Sequence, residues 1–555
     1  MARQKSLAKT SVAYPDMVSP GRILPVGLML CTLAFLICVL LTVTPLSRMP
    51  DTKFRLVFSW GAFLGKVSQW LPTNIGPTYQ PSSASIEFFC IITLAFFFYC
   101  LGAWMVRLWT DDLRYWPVYI CIWLGLLLAG GIYLVTPAVL SHDIGNYAGY
   151  SRLLANYHAN PYFVPLIAFP HDPMIRIDDW ARVTSAYGPI WMIICAVLGW
   201  LLKQPMPEAF VIGFRVFAFA MHLLNTLLVG NILRTLGRSP RICALGMLLY
   251  GWNPLVLLES AQNGHNDVFM LTFVLLGILL LARAEQRGEL LHARGYLPPI
   301  LAFTLAVLVK FPILPVLAAY LIFLLCRSLR STSASSLTWQ EVLSNWRPTA
   351  LLLGWACLAF AMLMLAFYAP FLLGHIPSAI IGSFSNNPVS TWAENSFMRL
   401  VINWSTLHTE QKANLLLLFF SSRQVWNVIN YIAIALCLFF GARRLWVTPT
   451  VETFLTLTLA MMCIVLLLTP WFFPWYSIWI VGLAAVCLPV CRGRAVSAFF
   501  ILALTFSYST LSHYLFGHGL LGPNIYLVSL FDSVPPICAF LLCWTLYPRW
   551  RWTTP

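Results

Sequence analysis

Apolar runs of about 20 residues recur along nearly the whole chain, and no other feature constrains its fold as strongly. A helix rising about 1.5 Å per residue needs about 20 consecutive apolar residues to cross the roughly 30 Å hydrocarbon core, and it is a helix because each backbone N–H and C=O must be bonded inside the segment. On that template the sequence predicts spans near 23–44, 86–106, 117–140, 208–233, 242–260, 268–282, 349–373, 425–441, 452–469, 475–490, 495–512 and 525–546. The stretch 298–326 is apolar except at Lys310-Phe311-Pro312, where a charge meets a helix breaker. A mid-helix lysine would sit near the bilayer centre, so two short half-spans folding back at this point are expected, with one long kinked span as the alternative. Counted this way the chain is an all-α polytopic membrane protein of about 12–14 transmembrane helices.

Charge supports this reading. Only 10% of the 555 residues are charged, against roughly 25% in a soluble domain, and no stretch is polar enough to form one, so a single integral membrane domain over 1–555 is expected. The net charge of +15 would suggest nucleic acid in a soluble protein. Here the positives stand in small groups between apolar runs, which is how a membrane protein sets its orientation, and no nucleic-acid partner is expected. The 15 cysteines lie in or beside apolar segments, where they serve as small apolar filler rather than as a disulfide framework. The basic start leads into an apolar run too long for a cleaved signal and reads as a cytoplasmic tail, 1–22, before a retained first span.

The segment 189–202 is apolar but short of spanning length. Laid along the outer interface, it leaves Arg234, Arg238 and Arg241 cytoplasmic. Then 21 of the 34 Lys and Arg fall in cytoplasmic segments, 11 in three long outer segments (45–85, 141–207 and 374–424), and two, Arg215 and Lys310, within spans. Both termini are then cytoplasmic in a multi-pass protein of the cell membrane.

Polar residues gather in a few places. Asp143 follows Ser141-His142 at the outer end of a span, where partial desolvation can tune a carboxylate as a base; a helix-capping Asp is the plainer alternative. Tyr147, Asn160-Pro161-Tyr162 and Tyr187-Gly188-Pro189 follow in the same loop. Asn263-Gly264-His265-Asn266-Asp267, preceded by Glu259 and Gln262, is dense in polar side chains beside hydrocarbon; it is either a wet turn or a set of groups that bond sugar hydroxyls. Lys310, at a backbone break, suits a phosphate at the membrane surface; a snorkelling lysine is the plainer alternative. Arg215 is either a second phosphate contact or a structural partner. Pro470-Trp471-Phe472-Phe473-Pro474-Trp475-Tyr476 is either an interfacial belt or a sugar-stacking platform. His513 and His518 carry no assignment. There is no P-loop, dinucleotide or zinc-protease motif, so a nucleotide-driven pump and a zinc protease are disfavoured. An outer site also lacks nucleotide-activated sugars, and an activated donor would have to arrive on a lipid.

In order, Asp143, Asn160-Pro161-Tyr162, Asp179-Trp180, Tyr187-Gly188-Pro189, Asn253-Pro254-Leu255, Gly264-His265-Asn266-Asp267 and Lys310-Phe311-Pro312 resemble the motifs of the GT-C glycosyltransferases. Within these the chain is most similar to the bacterial polyprenyl-phosphomannose-dependent α-(1→6)-mannosyltransferases of cell-envelope biosynthesis. The resemblance covers roughly 117–330 and the late Pro474-Trp475-Tyr476. It implies an inverting transfer of a hexose, mannose by closest likeness, from a polyprenyl phosphate to a glycolipid or glycan hydroxyl on the outer face. By the same resemblance Asp143 is the base, Lys310 contacts the lipid phosphate with Arg215 as a possible second cation, and 189–202 is an interfacial helix. His142, Tyr147, Tyr187, His265, Asn266, Asp267, Trp475 and Tyr476 would bind substrate. A lone Asp143, where many members carry paired acids, favours metal-free chemistry; no cofactor is expected, a divalent metal staying open. The competing class is a transporter or flippase, against which stands the single helix break with no second copy.

Overall fold

Proline opens many of the described helices, among them those starting at Pro189, Pro207, Pro240 and Pro254. It lacks the N–H that is unpaired in a first turn anyway, and its φ is already helical. The computed structural model describes residues 20–48, 81–109, 114–136, 140–203, 206–330, 339–376, 378, 393–408, 419–420, 422–491, 493–517 and 525–546. Most of the predicted tail 1–22, most of the predicted outer segments 45–85 and 374–424, and His518 lie outside these residues.

The helices, in chain order, are α1 Pro20–Leu46, α2 Pro81–Leu108, α3 Trp116–Leu134, α4 Asp143–Ala155, α5 Pro189–Leu202, α6 Pro207–Thr235, α7 Pro240–Gly251, α8 Pro254–Leu257, α9 Asp267–Gln286, α10 Ala293–Val309, α11 Leu314–Leu329, α12 Trp339–Leu372, α13 Phe397–His408, α14 Arg423–Val447, α15 Val451–Leu468, α16 Ser477–Val490, α17 Arg494–Ser509 and α18 Ile525–Leu546. Among the described residues there is no strand, only one isolated parallel bridge between Glu394 and Trp471. Among the described residues, eleven helices are long and apolar enough to cross a membrane. The pair 240–251 and 254–262 adds a broken span bent by 58°, and 189–202, 293–309 and 474–490 are shorter apolar helices. This is a polytopic all-α membrane protein.

The bend after α7 has a local cause. Asn253 caps α8, its side chain accepting from the Val256 amide at 3.2 Å, and its Nδ2 donates to Ser507 Oγ at 3.0 Å. Beyond α8 the chain widens into a π turn, Leu258–Gln262, whose every residue is buried. Such turns mark positions where an inserted residue re-aims side chains.

The break at Lys310 is a fold-back. Lys310 is extended (φ −155°, ψ 123°) between α10 and a 3₁₀ turn, Phe311–Ile313, that leads into α11. It meets Asp267 at the start of α9, while Arg327, near the end of α11, meets Glu285 near the end of α9 at 2.9 Å. Thus α10 rises beside α9 and α11 descends again, which selects two helices over one kinked span.

The connections sort onto two faces. On one, Arg238 pairs with Glu452 at 2.6 Å and donates to the Val490 carbonyl, Arg241 donates to the Trp109 carbonyl, and Arg327 to that of Pro449. The opposite face carries α4, α5, the 263–266 loop, Lys310 and the aromatic run 471–476. The apolar core is one continuous cluster reaching from Leu28 to Tyr514, with a small satellite at Ala393, Met398 and Trp426. Helices α12 and α14 turn large apolar side chains outward, among them Leu351, Trp355, Met362, Leu365, Tyr431 and Phe439, as lipid-facing helices do.

Candidate active site

Four glycines let the polar face close tightly enough to form a site. A Cβ on Gly145 would lie 1.9 Å from the Ile177 carbonyl oxygen, and one on Gly199 2.6 Å from that of Ser151, so α4 sits directly on the 173–180 turn and on α5. A Cβ on Gly188 would lie 2.0 Å from the Leu308 carbonyl oxygen, while the Gly188 amide donates to Val309 O at 3.0 Å. That contact docks Tyr187 beside the end of α10, immediately before Lys310. Gly264 has φ +67°, a left-handed turn that favours glycine, and leads into His265.

Asp143 is the first residue of α4 and is partly exposed at its side chain (15%). The Tyr187 hydroxyl donates to Asp143 Oδ2 at 3.3 Å, and His265 Nδ1 stands 3.7 Å from the same oxygen. Burial raises the Asp143 carboxyl above its ordinary range; His265, Lys310 and the Tyr187 hydroxyl oppose that rise, and Asp267 adds to it. An elevated carboxylate beside polar partners is the condition of a tunable base.

Lys310 lies on the other side of Tyr187. Its Nζ donates to both oxygens of the fully buried Asp267, at 2.9 and 3.1 Å, and stands over the rings of Tyr476 (4.4 Å), Trp479 (5.6 Å) and Tyr187 (5.8 Å). The Trp479 indole N–H donates to Asp267 Oδ1 at 2.7 Å. A buried ammonium held by one carboxylate and ringed by aromatic faces has a fixed position, and cation–π attraction adds to its stability. Asp267, expected to orient sugar hydroxyls, is instead committed to the lysine and the indole.

His265 is fully buried, stacked on Trp475 at 4.0 Å and 17°. Trp475 stacks in turn on Phe473 at 4.5 Å and 7°. Asn266 is buried, and neither its amide oxygen nor its amide nitrogen has a hydrogen-bond partner. Buried unpaired amides are costly, so this side chain is poised for a polar ligand. Tyr147 packs edge-on to Tyr187 at 5.5 Å and to Trp191 at 4.8 Å, beneath the site.

The remaining expectations sort differently. The His142 ring pairs with the Asp179 carboxylate at the rim. The Arg215 guanidinium is given to backbone carbonyls: Nε to Gln262 (2.5 Å), and Nη1 to Thr136 (2.7 Å) and Leu134 (3.2 Å). It caps α3 and pins the 262–266 loop, which makes it a clamp, where a second phosphate cation was the alternative. Asn160 is structural too, donating to the Phe371 carbonyl at 2.7 Å, while the Tyr162 hydroxyl donates to the Tyr187 backbone carbonyl at 2.9 Å.

Three residues were not singled out by sequence. Trp479 follows Trp475 and Tyr476 at helical spacing, a signal that was available. Tyr514 had none, since its hydroxyl reaches Glu259 Oε1 at 2.5 Å across 255 residues of chain. Asp178 is buried under α4, where its carboxylate accepts from the Trp180 amide at 2.8 Å and from Asn146 at 3.4 Å. Among the described residues no three His, Cys, Asp or Glu side chains are grouped as metal ligands.

The arrangement provides a carboxylate, a fixed cation, a buried imidazole and unpaired amide groups between aromatic walls. Residues 57–327 match the family model of the alpha-(1->6)-mannopyranosyltransferase N-terminal domain, MptA_B. Comparison with curated proteins and with solved structures finds no match. The match, with eleven candidate spans, fits a GT-C mannosyltransferase. Asp143, Tyr187, Glu259, His265, Asp267 and Lys310 all lie inside the matched stretch, whereas the aromatic wall of Trp475, Tyr476, Trp479 and Tyr514 comes from beyond it.

Proposed function

We propose that this membrane protein, whose residues 57–327 carry a mannopyranosyltransferase N-terminal domain, moves mannose with inversion from a polyprenyl phosphate to a hydroxyl of a glycolipid or glycan. One observation carries the reading. Asp143 and Lys310, far apart in sequence, flank a single side chain, Tyr187, which donates to the carboxylate and lies beneath the ammonium.

In this reaction Asp143 takes the proton of the acceptor hydroxyl as its oxygen attacks C1 of the sugar. The C1–O bond to the lipid phosphate breaks, and the electron pair leaves with the phosphate. A sugar hydroxyl is a weak nucleophile, and a positioned base contributes typically ~10²–10⁴-fold. The phosphate is a good leaving group that needs a fixed cation rather than an acid, and Lys310 is the cation available. Its Asp267 partner leaves one of the three ammonium donors for that purpose. Asn266 and His265 are suited to hold sugar hydroxyls, with Trp475 and Tyr476 as apolar walls.

The arginine-rich face is read as cytoplasmic by the positive-inside rule, which puts both termini inside and the site on the outer face of the cell membrane. Helix α5 turns Ile193, Val197, Trp200 and Leu201 outward, one apolar stripe along a 14-residue helix, as expected for an element lying in the interface.

The test is transfer from radiolabelled polyprenyl-phosphomannose to a membrane glycolipid extract by purified protein in detergent, wild type beside Asp143→Asn. Transfer by the wild type and its loss in a folded variant supports donor and base together. Full activity in the variant removes Asp143 from the mechanism, and no transfer by either protein rejects this donor.

A further inference from the structure

Glu259 enters none of the roles above, yet it is fully buried in the π turn one contact away from the proposed base. Its oxygens are well held. Tyr514 donates to Oε1 at 2.5 Å and Asn263 Nδ2 to Oε2 at 2.7 Å. His265 Nε2 stands 3.3 Å from Oε2, while the opposite ring nitrogen, Nδ1, faces Asp143 Oδ2 at 3.7 Å. Both are ion-pair separations; neither ring nitrogen has an aligned hydrogen bond. The stack on Trp475 fixes the plane of the ring.

Charge makes the arrangement informative. Three carboxylates, Asp143, Glu259 and Asp267, converge around the His265 ring and the Lys310 ammonium. Lys310 answers Asp267 with both oxygens engaged. The remaining two carboxylates then share one imidazole, one at each nitrogen. Two buried or half-buried carboxylates tolerate each other only with positive charge or donors between them. Glu259 has two neutral donors besides the ring, whereas Asp143 has the Tyr187 hydroxyl, its own position at the first turn of α4, and His265.

We propose that Glu259 is a positioning residue that acts on the base through His265: it orients the imidazole and balances its charge, and the ring in turn keeps Asp143 in the form that accepts a proton. This rests on the reading of Asp143 as base. The groups facing Asp143 are His265 from the 263–266 loop, Lys310 from the break before α11, Asp267 from α9, Tyr187 from the loop before α5, Tyr147 from its own helix, and Asp178 and Tyr476 at longer range. Of these, His265 is the one that also faces Glu259. During transfer the proton leaves the acceptor oxygen for Asp143, and no other bond changes at Glu259 or His265.

The experiment is the pH dependence of kcat/KM for mannosyl transfer in Glu259→Gln, His265→Gln, the double variant and Asp143→Asn. In Glu259→Gln the ring loses its counter-charge, positive charge beside Asp143 is withdrawn and the acid limb moves to higher pH by about one unit; a move to lower pH, the direct effect of deleting a negative charge, overturns the proposal. At a fixed neutral pH kcat falls about tenfold or more with the KM for donor unchanged. His265→Gln moves the limb in the same direction, and the double variant moves it no further than His265→Gln alone. Additive shifts overturn the proposal, as does a wild-type acid limb in Glu259→Gln. Where Gln at 259 impairs folding, Glu259→Asp carries the test: the charge is kept, so the profile keeps its wild-type position while kcat drops, and a displaced profile overturns the proposal. Asp143→Asn separates this inference from the reading beneath it. If that variant is inactive while Glu259→Gln keeps the wild-type limb, only the role of Glu259 fails; if it is active, the base assignment fails and the role of Glu259 with it.

Discussion

Replacing Gly188 by alanine adds one methyl group outside the reacting centre and should still disable the enzyme. The added carbon would sit 2.0 Å from the Leu308 carbonyl oxygen, 2.5 Å from its carbon and 3.2 Å from its Cα. These are backbone atoms near the end of α10, so no side chain can rotate aside. Contacts below 3.0 Å are essentially absent from real proteins, so the loop and the helix end must part by about 1 Å. Overpacking of this kind costs about 1–3 kcal/mol of stability. The functional cost is larger, because the displaced residues are neighbours of Tyr187 on one side and Lys310 on the other. A 1 Å error in catalytic geometry costs roughly 10²-fold. The expected result is a folded protein with kcat for mannosyl transfer reduced about a hundredfold and a melting temperature a few degrees lower. Gly131→Ala serves as the control: nothing lies within 4 Å of its added carbon, and in the last turn of α3 the change should be close to neutral. Turnover by Gly188→Ala within about twofold of wild type, at equal melting temperature, would refute the argument that this contact sets the distance between base and cation.

Three further outcomes follow from the geometry. Lys310→Met should abolish transfer and also destabilise by ~3–5 kcal/mol, since Asp267 is left buried and unpaired; adding Asp267→Asn should restore the melting temperature without restoring turnover. Arg215→Met should lower the melting temperature, because three carbonyls lose a donor, but leave the KM for the lipid donor unchanged, whereas a rise in that KM alone would make Arg215 a phosphate contact. The Asp178 carboxyl, outside the spans, is pushed up to about 7 by burial. Its folded form therefore holds a proton that the unfolded chain releases near pH 4. Stability contributed below that pH is lost as pH rises to about 7, up to ~4 kcal/mol, and Asp178→Asn should flatten thermal stability measured from pH 4.5 to 7.5.

Most of the spans were legible because hydrocarbon selects on length and composition, both of which are local. The fold-back at Lys310 was legible for the same reason, since a charge and a proline interrupting an apolar run leave few structures open. Composition alone could not choose between hairpin and kink; the choice depends on Arg327 finding Glu285, a pairing visible only in three dimensions. What was legible of the candidate site is that its polar residues cluster: Asp143, the His265-Asn266-Asp267 string and Lys310 come together on one face. Sequence left the role open where a residue type suits two tasks. An acid beside a helix start suits sugar hydroxyls and a lysine alike, and Asp267 took the lysine. A buried arginine suits phosphates and carbonyls alike, and Arg215 took carbonyls. Tyr514 was beyond reach because nothing in its neighbourhood tells of Glu259.

That last contact bears on how the protein is made. The carboxylates and the lysine are all synthesised within the first 310 residues, but the rings that cover them, Trp475, Tyr476, Trp479 and Tyr514, emerge from the ribosome some 165 to 200 residues later. At synthesis rates of about 5–20 residues per second, the charged half spends on the order of ten seconds in the bilayer without its lid. Pairing Lys310 with Asp267 and pinning Arg215 on carbonyls requires nothing from the later helices, so those charges are quieted at once. Glu259 and His265 are quieted only in part: Asn263 and Asp143 are at hand early, but the Tyr514 hydroxyl and the Trp475 stack wait for the last quarter of the chain. A nascent chain stalled before Tyr514 would expose them to water or to insertion machinery, and the completed enzyme would acquire its chemistry only as its final spans dock.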